Sequence, residues 1–192
     1  MSAAFDARPV IVAVAGPNGA GKTTFYGAHL ERTALRFVNA DELARELEIG
    51  PYEAAEVASQ IREAMLAQRE SFVFETVFSD PSGDKLQFLL RAEALGYTVV
   101  LCFIGLASPQ LSDERVAMRV LQGGHDVPTD KLAERYPRTI ENLRRSIHEL
   151  PHVLVFDNSE LDRPYRKVAE FERGKPVYLG EPLPDWLPWR PR

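Results

Sequence analysis

The stretch PVIVAVAGPNGAGKTTFYGAHL, residues 9–30, decides the fold of this chain. It opens as an apolar run, turns at a cluster of glycines, and resumes with a helix-like pattern from Lys22. The turn fits the phosphate-loop pattern, in which Gly and four further residues precede Gly-Lys-Ser/Thr. Glycines let successive backbone N–H groups point inward at a polyphosphate, and the positive end of the following helix faces the same anion. The segment therefore predicts a strand, a phosphate-binding loop and a helix.

This loop predicts a binding site for ATP and Mg²⁺. In such loops the lysine, here Lys22, reaches the β- and γ-phosphates, and the following hydroxyl, here Thr23, binds Mg²⁺. A glycine-rich turn that matches by chance is the alternative, and the strand before it and the helix after it argue against that alternative. The predicted nucleotide-binding residues of the loop are Gly16, Pro17, Asn18, Gly19, Ala20, Gly21, Lys22, Thr23 and Thr24.

Further apolar runs define the fold class. Together with the first strand they span residues 9–15, 35–40, 71–76, 97–105 and 152–158, and helix-like segments separate them. Nearly continuous apolar strands are typical of a parallel sheet that helices cover on both faces. The sequence predicts an α/β fold, a three-layer P-loop NTPase sandwich with a mainly parallel sheet of about five strands. We expect residues 1–192 to form a single domain.

The C-terminal part predicts a β-hairpin. Residues 166–180, RKVAEFERGKPVYLG, alternate polar and apolar side chains around Arg173 and Gly174. Pro176 would place the second strand at an edge of the sheet, because proline cannot donate a ladder hydrogen bond. The hairpin and tail cover residues 164–192, and we expect Trp186 and Trp189 to fold back onto the body of the protein.

Composition excludes several classes of protein. The net charge of −5 gives no general attraction to nucleic-acid backbones or anionic membranes, so any phosphate recognition has to be local. The single cysteine, Cys102, lies within an apolar run and indicates a core residue in a reducing compartment. No basic leader and no long apolar segment is present in the sequence, which favours a cytoplasmic protein without membrane contact.

Two carboxylates are candidates for binding and activating a phosphoryl acceptor. Transfer to an alcohol needs a carboxylate near the attacking hydroxyl, and such groups lie at the carboxyl ends of strands in open α/β sheets. Asp41 follows the second predicted strand and Glu75 ends the third. For Asp41 the alternative is helix capping, since the residues after it favour a helix. Because a carboxylate at the end of an apolar strand is not expected to be buried unpaired, we expect Glu75 to face the cleft and to bind hydroxyls or metal-bound waters, with Thr76 beside it.

Residues 108–150 predict two helices joined by a Gly-Gly-His turn that close over the phosphates as a lid. Arginines concentrate there, and positive charge would stabilise the transition state of phosphoryl transfer. Arg119 and Arg135 are the best candidates, and a solvated basic face is the alternative. His125 is expected to shape the turn and not to transfer protons.

Asn158 and Ser159 follow the fifth predicted strand, where an adenine base commonly binds in this architecture. Both side chains could hydrogen-bond the base. Simple turn chemistry explains the two residues equally well.

The phosphate loop, NADEL, FETVFS, RVAMRVLQGGHDVP and FDNS follow in order along the chain. In this combination the sequence resembles the zeta-toxin-like kinase family over residues 9–185. Members of known activity transfer the γ-phosphate of ATP to the 3′-hydroxyl of the sugar in UDP-N-acetylglucosamine. The resemblance implies that Asp41 is the general base, with Asp41, Arg45, Glu75 and Thr76 at the substrate. It also implies an antitoxin protein as a partner.

The chain departs from that family in some features. It is shorter than the toxins that pair with a separate antitoxin, and its arginine-rich lid is similar to that of small-molecule kinases such as gluconate kinase. The GGHDVP turn resembles a compact branch of the family whose members are described as predicted ATPases. UDP-N-acetylglucosamine is the first choice of acceptor, and another hydroxylated metabolite is the second.

Two other functional classes share part of the pattern. The loop GPNGAGKT also occurs in ABC-type ATPases, and LQGGH is similar to their signature. Such an enzyme needs a glutamate directly after the aspartate that ends the fifth strand, and Asn158 follows Asp157 here. The third class is an ATP-dependent interaction module that binds a partner without phosphorylating a metabolite.

Overall fold

A computed structural model describes residues 3–121 and 128–190. Its sheet has seven strands. The strands are β1 (Val10–Ala15), β2 (Arg36–Val38), β3 (Phe72–Thr76), β4 (Thr98–Gly105), β5 (His152–Asp157), β6 (Arg166–Glu172) and β7 (Lys175–Leu179). The predicted five parallel strands are present, and the estimate of about five strands for the whole sheet is wrong. The sequence predicted the C-terminal hairpin, but it did not reveal that the hairpin pairs with β5 and adds two strands to the sheet.

The strand order β2-β3-β1-β4-β5-β6-β7 puts β1 between β3 and β4. The first five strands in this order run parallel, and β6 and β7 pair antiparallel. After β1 the chain crosses to β2 on one side and later to β4 on the other. The carboxyl end of β1 is therefore the switch point of the sheet, where a ligand crevice forms in open α/β folds.

Helices cover both faces of the sheet, and they do so unequally. The helices are α1 (Lys22–Phe25), α2 (Ala40–Glu46), α3 (Pro51–Ala67), α4 (Asp84–Ala94), α5 (Pro109–Leu121) and α6 (Thr129–Glu149). α1 continues through a π turn, Tyr26–Leu30, and a 3₁₀ turn, Glu31–Thr33. Helices α3, α4 and α6 pack on one face of the sheet, and α1 with the N-terminal turn Ala3–Phe5 packs on the other. This is the predicted three-layer P-loop NTPase arrangement.

Successive side chains of a strand point to opposite faces of the sheet, so the core has one part on each face. Ile11, Ala13 and Ala15 face α3, α4 and α6, whereas Val12 and Val14 face α1. All of β1 is buried because strands pair on both of its edges and helices cover both of its faces. The apolar run at the start of the sequence is therefore the centre of the molecule.

The C-terminal tail folds back as predicted. Trp186 is buried, its ring contacts Phe103, and its indole N–H donates to Asp157 at 3.4 Å. Trp189 packs edge-on against Phe171. Pro176 lies in β7, which is the edge strand that the sequence predicted for it.

The tip of the predicted lid lies outside the described residues. The Gly-Gly turn, His125 and the LQGGH similarity to a transporter signature fall on residues 121–127, of which 122–127 are not described. The flanking helices α5 and α6 lie within the predicted lid segment 108–150. Across residues 3–121 and 128–190, no helix has the length and apolar character needed to cross a membrane.

Candidate nucleotide and acceptor site

The phosphate loop lies against the end of β4. Gly16 has a φ of 149°, and a β-carbon there would lie 2.1 Å from the carbonyl oxygen of Ile104. That separation is far below van der Waals contact, and the clash is with backbone that cannot turn away. Only glycine lets the loop leave β1 at this point. The strand, the loop and α1 predicted from the opening stretch are all present.

Three side chains hold carbonyl groups of the loop. Ser112 of α5 donates a hydrogen bond to the carbonyl of Asn18 at 2.7 Å. The hydroxyl of Tyr165 donates to the carbonyl of Gly21 at 2.9 Å, and the amide of Asn158 donates to the carbonyl of Ala20 at 2.9 Å. With its carbonyls bound from outside, the loop keeps its curl and leaves its N–H groups for an anion.

The structure gives Asn158 and Ser159 partners other than a base. Asn158 also accepts from the backbone N–H of Tyr165, so both ends of its amide are engaged. The backbone N–H and the hydroxyl of Ser159 donate to Asp157. These contacts agree with the turn alternative and show that Asn158 supports the loop, and the contact of Asn158 and Ser159 with an adenine base stays a prediction.

Lys22 lies at the centre of the site. Its side chain is 6% exposed, its ammonium donates to the carbonyl of Pro17 at 3.1 Å, and it lies 3.7 Å from Glu75 Oε1. Burial lowers the pKa of Lys22 because it removes water from the ammonium, and the charge of Arg119 lowers it further. The carboxylates of Glu75 and Asp41 act in the opposite direction. Lys22 is thus a buried cation between two acids and an arginine.

Glu75 lies at the predicted end of the third strand, and its carboxylate also contacts the phosphate loop. Its Oε2 accepts from the hydroxyl of Thr23 at 2.7 Å and from the amide of Asn39 at 3.0 Å. Oxygen atoms of this kind suit Mg²⁺, which takes one or two protein oxygens and completes its shell with phosphate and water. Across the described ranges, no three His, Cys, Asp or Glu side chains form a metal cage. The residues present therefore fit a Mg²⁺ ion that arrives with a nucleotide.

Asn39 is the residue that caps α2. Its side-chain oxygen accepts from the backbone N–H groups of Asp41, at 2.8 Å, and of Glu42, at 3.4 Å. The capping alternative for Asp41 is therefore wrong, because Asn39 already satisfies the first N–H groups of the helix. Asp41 lies in the first turn with its side chain exposed, and Arg45, also exposed, lies one turn later.

Thr76 begins a loop that α6 holds in place. The hydroxyl of Thr76 accepts from the backbone N–H of Phe78, which is buried and has a φ of 63°. From α6, Thr139 donates to the carbonyl of Val77 at 3.0 Å, and Asn142 donates to the carbonyl of Phe78 at 2.9 Å. The backbone after Glu75 is therefore fixed by a polar stripe on α6 that the sequence reading missed.

The two predicted lid arginines lie in different surroundings. The charge of Arg119 on α5 lowers the pKa of Lys22, and a contact of Arg119 with the phosphates stays a prediction. The hydrogen bond that the Lys131 ammonium donates to the Tyr52 hydroxyl lowers the pKa of Tyr52 at the start of α3, and the charge of Arg135 lowers it further. Arg115 donates to the carbonyl of Ser159 at 3.2 Å.

Sequence reasoning missed Ser112 and Tyr165 as residues that build the site. Neither belongs to a motif, since each donates a hydrogen bond to a loop carbonyl that is distant in sequence. Asn39 lies in the NADEL motif and was predicted to support a metal-bound water, but its role as the cap of α2 was not predicted.

Comparison with protein families gives a match over residues 11–141 to a model described as an AAA domain. The match covers more than half of the 192 residues and includes the phosphate loop, Asp41 and Glu75. The chain belongs to this AAA domain family. No curated protein matches the sequence of this AAA domain protein.

Solved structures share the α/β P-loop NTPase-like fold of the AAA domain protein. The AvrRxo1-ORF1:AvrRxo1-ORF2 structure with sulphate ions has a TM-score of 0.68 at 20% identity, covering 93% of this chain and 64% of that chain. A structure from the PezAT toxin-antitoxin system of Streptococcus pneumoniae has a TM-score of 0.62 at 16% identity, covering 85% and 72%. A predicted kinase from Chloroflexus aurantiacus J-10-fl has a TM-score of 0.57 at 19% identity, covering 81% of this chain and 88% of that chain. This chain therefore spans less than two thirds of the AvrRxo1 protein.

Proposed function

We propose that the protein is an ATP-dependent phosphotransferase that moves the γ-phosphate of ATP to a hydroxyl of a small molecule. The observation that carries the proposal is the convergence of two carboxylates on the loop lysine. Asp41 and Glu75 come from the ends of neighbouring strands, and both act electrostatically on Lys22. Glu75 is engaged by the hydroxyl of Thr23, whereas Asp41 is exposed at the start of α2, where its carboxylate can accept a proton from a second molecule. This difference between the two carboxylates supports an acceptor site.

The two carboxylates have different roles in this mechanism. Glu75 is engaged by Thr23 and Asn39, which suits a group that holds the metal end of the phosphates. Asp41 is exposed at the start of α2 and suits a base that accepts the proton of the attacking hydroxyl. The oxygen of that hydroxyl then bonds the γ-phosphorus as the bond to the β,γ-bridging oxygen breaks, leaving ADP.

Positive charge balances the charge that develops on the transferred phosphoryl group. Lys22 and Arg119 lie on the loop side of the site, and the N-terminus of α1 points at the same place. Mg²⁺, bound through Thr23 and Glu75, would neutralise the phosphate oxygens and orient them for in-line attack. Arg115 beside the turn after β5 is the residue best placed to contact the nucleoside, in addition to the predicted Asn158 and Ser159.

UDP-N-acetylglucosamine is the acceptor that we propose to test first, with its sugar 3′-hydroxyl as the attacking group. The support is the motif resemblance to zeta-toxin-like kinases and the likeness in fold to a structure of a toxin-antitoxin system. Arg45 and Thr76 complete the proposed acceptor-binding set with Asp41 and Glu75. An antitoxin that covers the cleft is the corresponding partner.

The ABC-type alternative is not favoured by the arrangement of the strands. Asp157 ends β5, which β4 separates from β1 and the loop. Its carboxylate accepts from Ser159, Trp186 and Arg166, so it serves the C-terminal tail. Glu75 of β3 is the acid that reaches Thr23. The position that an ABC-type enzyme uses for catalysis is thus structural here.

One experiment tests the proposal and the acceptor together. The purified protein is incubated with ATP, Mg²⁺ and a panel of UDP-sugars and free sugars, and mass spectrometry detects an added phosphate. Asp41→Asn should lower the rate by about 10²- to 10⁴-fold, because a positioned base contributes that much. Its ATP affinity should change by less than about twofold, as expected for an exposed side chain.

The matched control is Glu46→Gln, which removes an exposed carboxylate at the other end of α2. It should leave the transfer rate unchanged. Transfer that survives in Asp41→Asn would contradict the assignment of the base. ATP binding without phosphorylation of any acceptor in the panel would favour the third class, an ATP-dependent interaction module.

A further inference from the structure

A cavity of about 440 Å³ lies on the α1 face of the sheet, away from Glu75 and Asp41. Its floor follows a row of paired residues across three strands, Cys102 of β4, Leu154 of β5 and Glu170 of β6. Phe25 and Leu30 of the α1 segment form one wall. On the other side of that segment Tyr26 stacks on Phe37 of β2, so α1 separates the cavity from the acceptor side.

Helix α1 and the turn Ala3–Phe5 cover this face, with Leu111 of α5 packed beside them, and the ring of Phe25 contacts that of Phe156 on β5. The cavity lies between α1 and the part of the sheet formed by β4, β5 and β6. Protein interiors are close-packed, and voids much larger than a water molecule are few. A space of this volume lies in the range of pockets that hold small molecules.

Aromatic rings and one acid dominate the lining. Phe5, Phe25 and Phe156 surround the space, and the first two are buried. Glu170 is 12% exposed and pairs with Lys167, which is 36% exposed. Lys167 also lies 4.9 Å from the ring of Tyr178, on the solvent side of the pair. A ligand cation could therefore take the place of Lys167 on Glu170 while the lysine stays on Tyr178.

We propose that this cavity binds a planar aromatic molecule carrying a cationic amine or amidine. Its ring would lie between Phe5, Phe25 and Phe156, and its N–H groups would donate to the carboxylate of Glu170. Apolar walls with a few polar groups are the usual composition of a small-molecule site, and the polar side chains here are His29, Lys167 and Glu170. Glu170 is the more buried member of its pair with Lys167, so the floor of the cavity favours a cation over an anion of the same shape.

Tryptamine and indole-3-acetate test this with one ring system and opposite charges. Calorimetry should show that tryptamine binds with one site per chain, at least about tenfold tighter than indole-3-acetate, since a hydrogen bond to a charged group contributes about 1.5–3 kcal/mol.

Two variants locate the site. Glu170→Gln should weaken tryptamine by at least about tenfold and leave indole-3-acetate within about twofold. Cys102→Leu places a larger side chain on the floor and should abolish binding of both. Glu172→Gln is the matched control, because Glu172 lies two residues further along β6 and is exposed outside the cavity. Thermal unfolding of each variant verifies that it is folded.

Equal binding of the two ligands, or tryptamine binding that survives both variants, would overturn the proposal. Dimers that light scattering detects and that Cys102→Leu dissociates would also overturn it, because the cavity would then be an interface between two copies of the chain. None of these outcomes bears on phosphoryl transfer, which uses the other side of α1.

Discussion

The nucleotide side and the acceptor side of the cleft differ in how firmly the protein holds them. On the nucleotide side, the carbonyls of Asn18, Ala20 and Gly21 are each bound by a side chain from another element. On the acceptor side, Asp41 and Arg45 are exposed on a short helix. The fold itself therefore builds the phosphate loop, whereas under the proposed function a few exposed side chains would select the acceptor.

The acceptor side is nevertheless anchored at one point. The loop after Glu75 is bound by Thr139 and Asn142 of α6, and the backbone of Phe78 holds a conformation that non-glycine residues rarely adopt. Thr139 also donates to the carbonyl of Arg135 on its own helix. The lid arginine and the acceptor loop are thus tied to the same turn of α6.

The largest effect that we expect comes from Gly16→Ala, which should disrupt the phosphate loop on the nucleotide side. The new β-carbon would lie 2.1 Å from Ile104 O, so the loop or the end of β4 has to move. We expect ATP affinity to fall by at least about 100-fold and stability to fall by about 2–4 kcal/mol. Nucleotide titration and urea unfolding measure the two losses.

Gly27→Ala is the control for that experiment. Gly27 lies one turn into the α1 segment, and a β-carbon there meets nothing within 4 Å. It should leave ATP affinity unchanged and stabilise the protein by about 0.5–1 kcal/mol. Tight ATP binding by Gly16→Ala would show that the loop does not need its close approach to β4.

The next largest effect concerns the acceptor side. Asn142→Ala leaves the carbonyls of Phe78 and Asp80 without their donor, at a cost of about 2–3 kcal/mol. The KM for the acceptor should rise while the KM for ATP stays nearly constant, because the loop follows Glu75 and not the phosphate loop. Steady-state kinetics on each substrate separates the two.

Ser146→Ala is matched to Asn142→Ala in position and burial. Ser146 is buried on the same face of α6, and its hydroxyl donates only to the carbonyl of Asn142 within the helix. Its loss should cost less than about 1 kcal/mol and change neither KM. An equal rise in both KM values for Asn142→Ala would mean that α6 holds the whole cleft and not the acceptor loop alone.

A smaller effect follows from the buried lysine on the nucleotide side. Burial lowers the pKa of Lys22 in the folded state below its value in the unfolded chain. Between those two values the unfolded chain binds more protons, so stability rises as pH rises through that window. The unfolding free energy of the nucleotide-free protein, minus that of Lys22→Met, should therefore increase from neutral to alkaline pH.

Urea unfolding of the protein and of Lys22→Met at several pH values gives this difference. A flat difference for Lys22→Met would mean that Glu75 and Asp41 fully offset the burial of the ammonium.

Sequence periodicity and loop chemistry were sufficient for the fold because they are local. The glycines of residues 16–21, the apolar strands and the hairpin at Gly174 each carry their own signal. The pairing of β6 with β5, which raised the sheet to seven strands, depends on contacts between segments and has no such signal. The same holds for Asn158, whose partner Ala20 lies 138 residues away.

Arg62 shows most clearly what a helical pattern conceals. The pattern of α3 gives no reason for an arginine to face the core, yet Arg62 is 8% exposed, with its guanidinium over the rings of Phe74 and Phe88. Burial lowers its pKa, and within residues 3–121 and 128–190 it makes no hydrogen bond or ion pair. It lies on the face of the sheet towards which Thr76 also points.

The smallest expected effect on stability follows from that position. Arg62→Met keeps an unbranched, flexible side chain next to the two rings and removes a buried charge, so stability should stay constant or rise by up to about 2 kcal/mol. Arg69→Met is the control, because Arg69 also lies over a ring, that of Tyr97, but is exposed and donates to the carbonyl of Leu95. It should cost up to about 1 kcal/mol. A more stable Arg62→Met protein that has lost transfer to its acceptor would show that the acceptor side keeps this charge for the substrate. That result would sharpen the contrast with the nucleotide side, where the buried Lys22 lies 3.7 Å from Glu75.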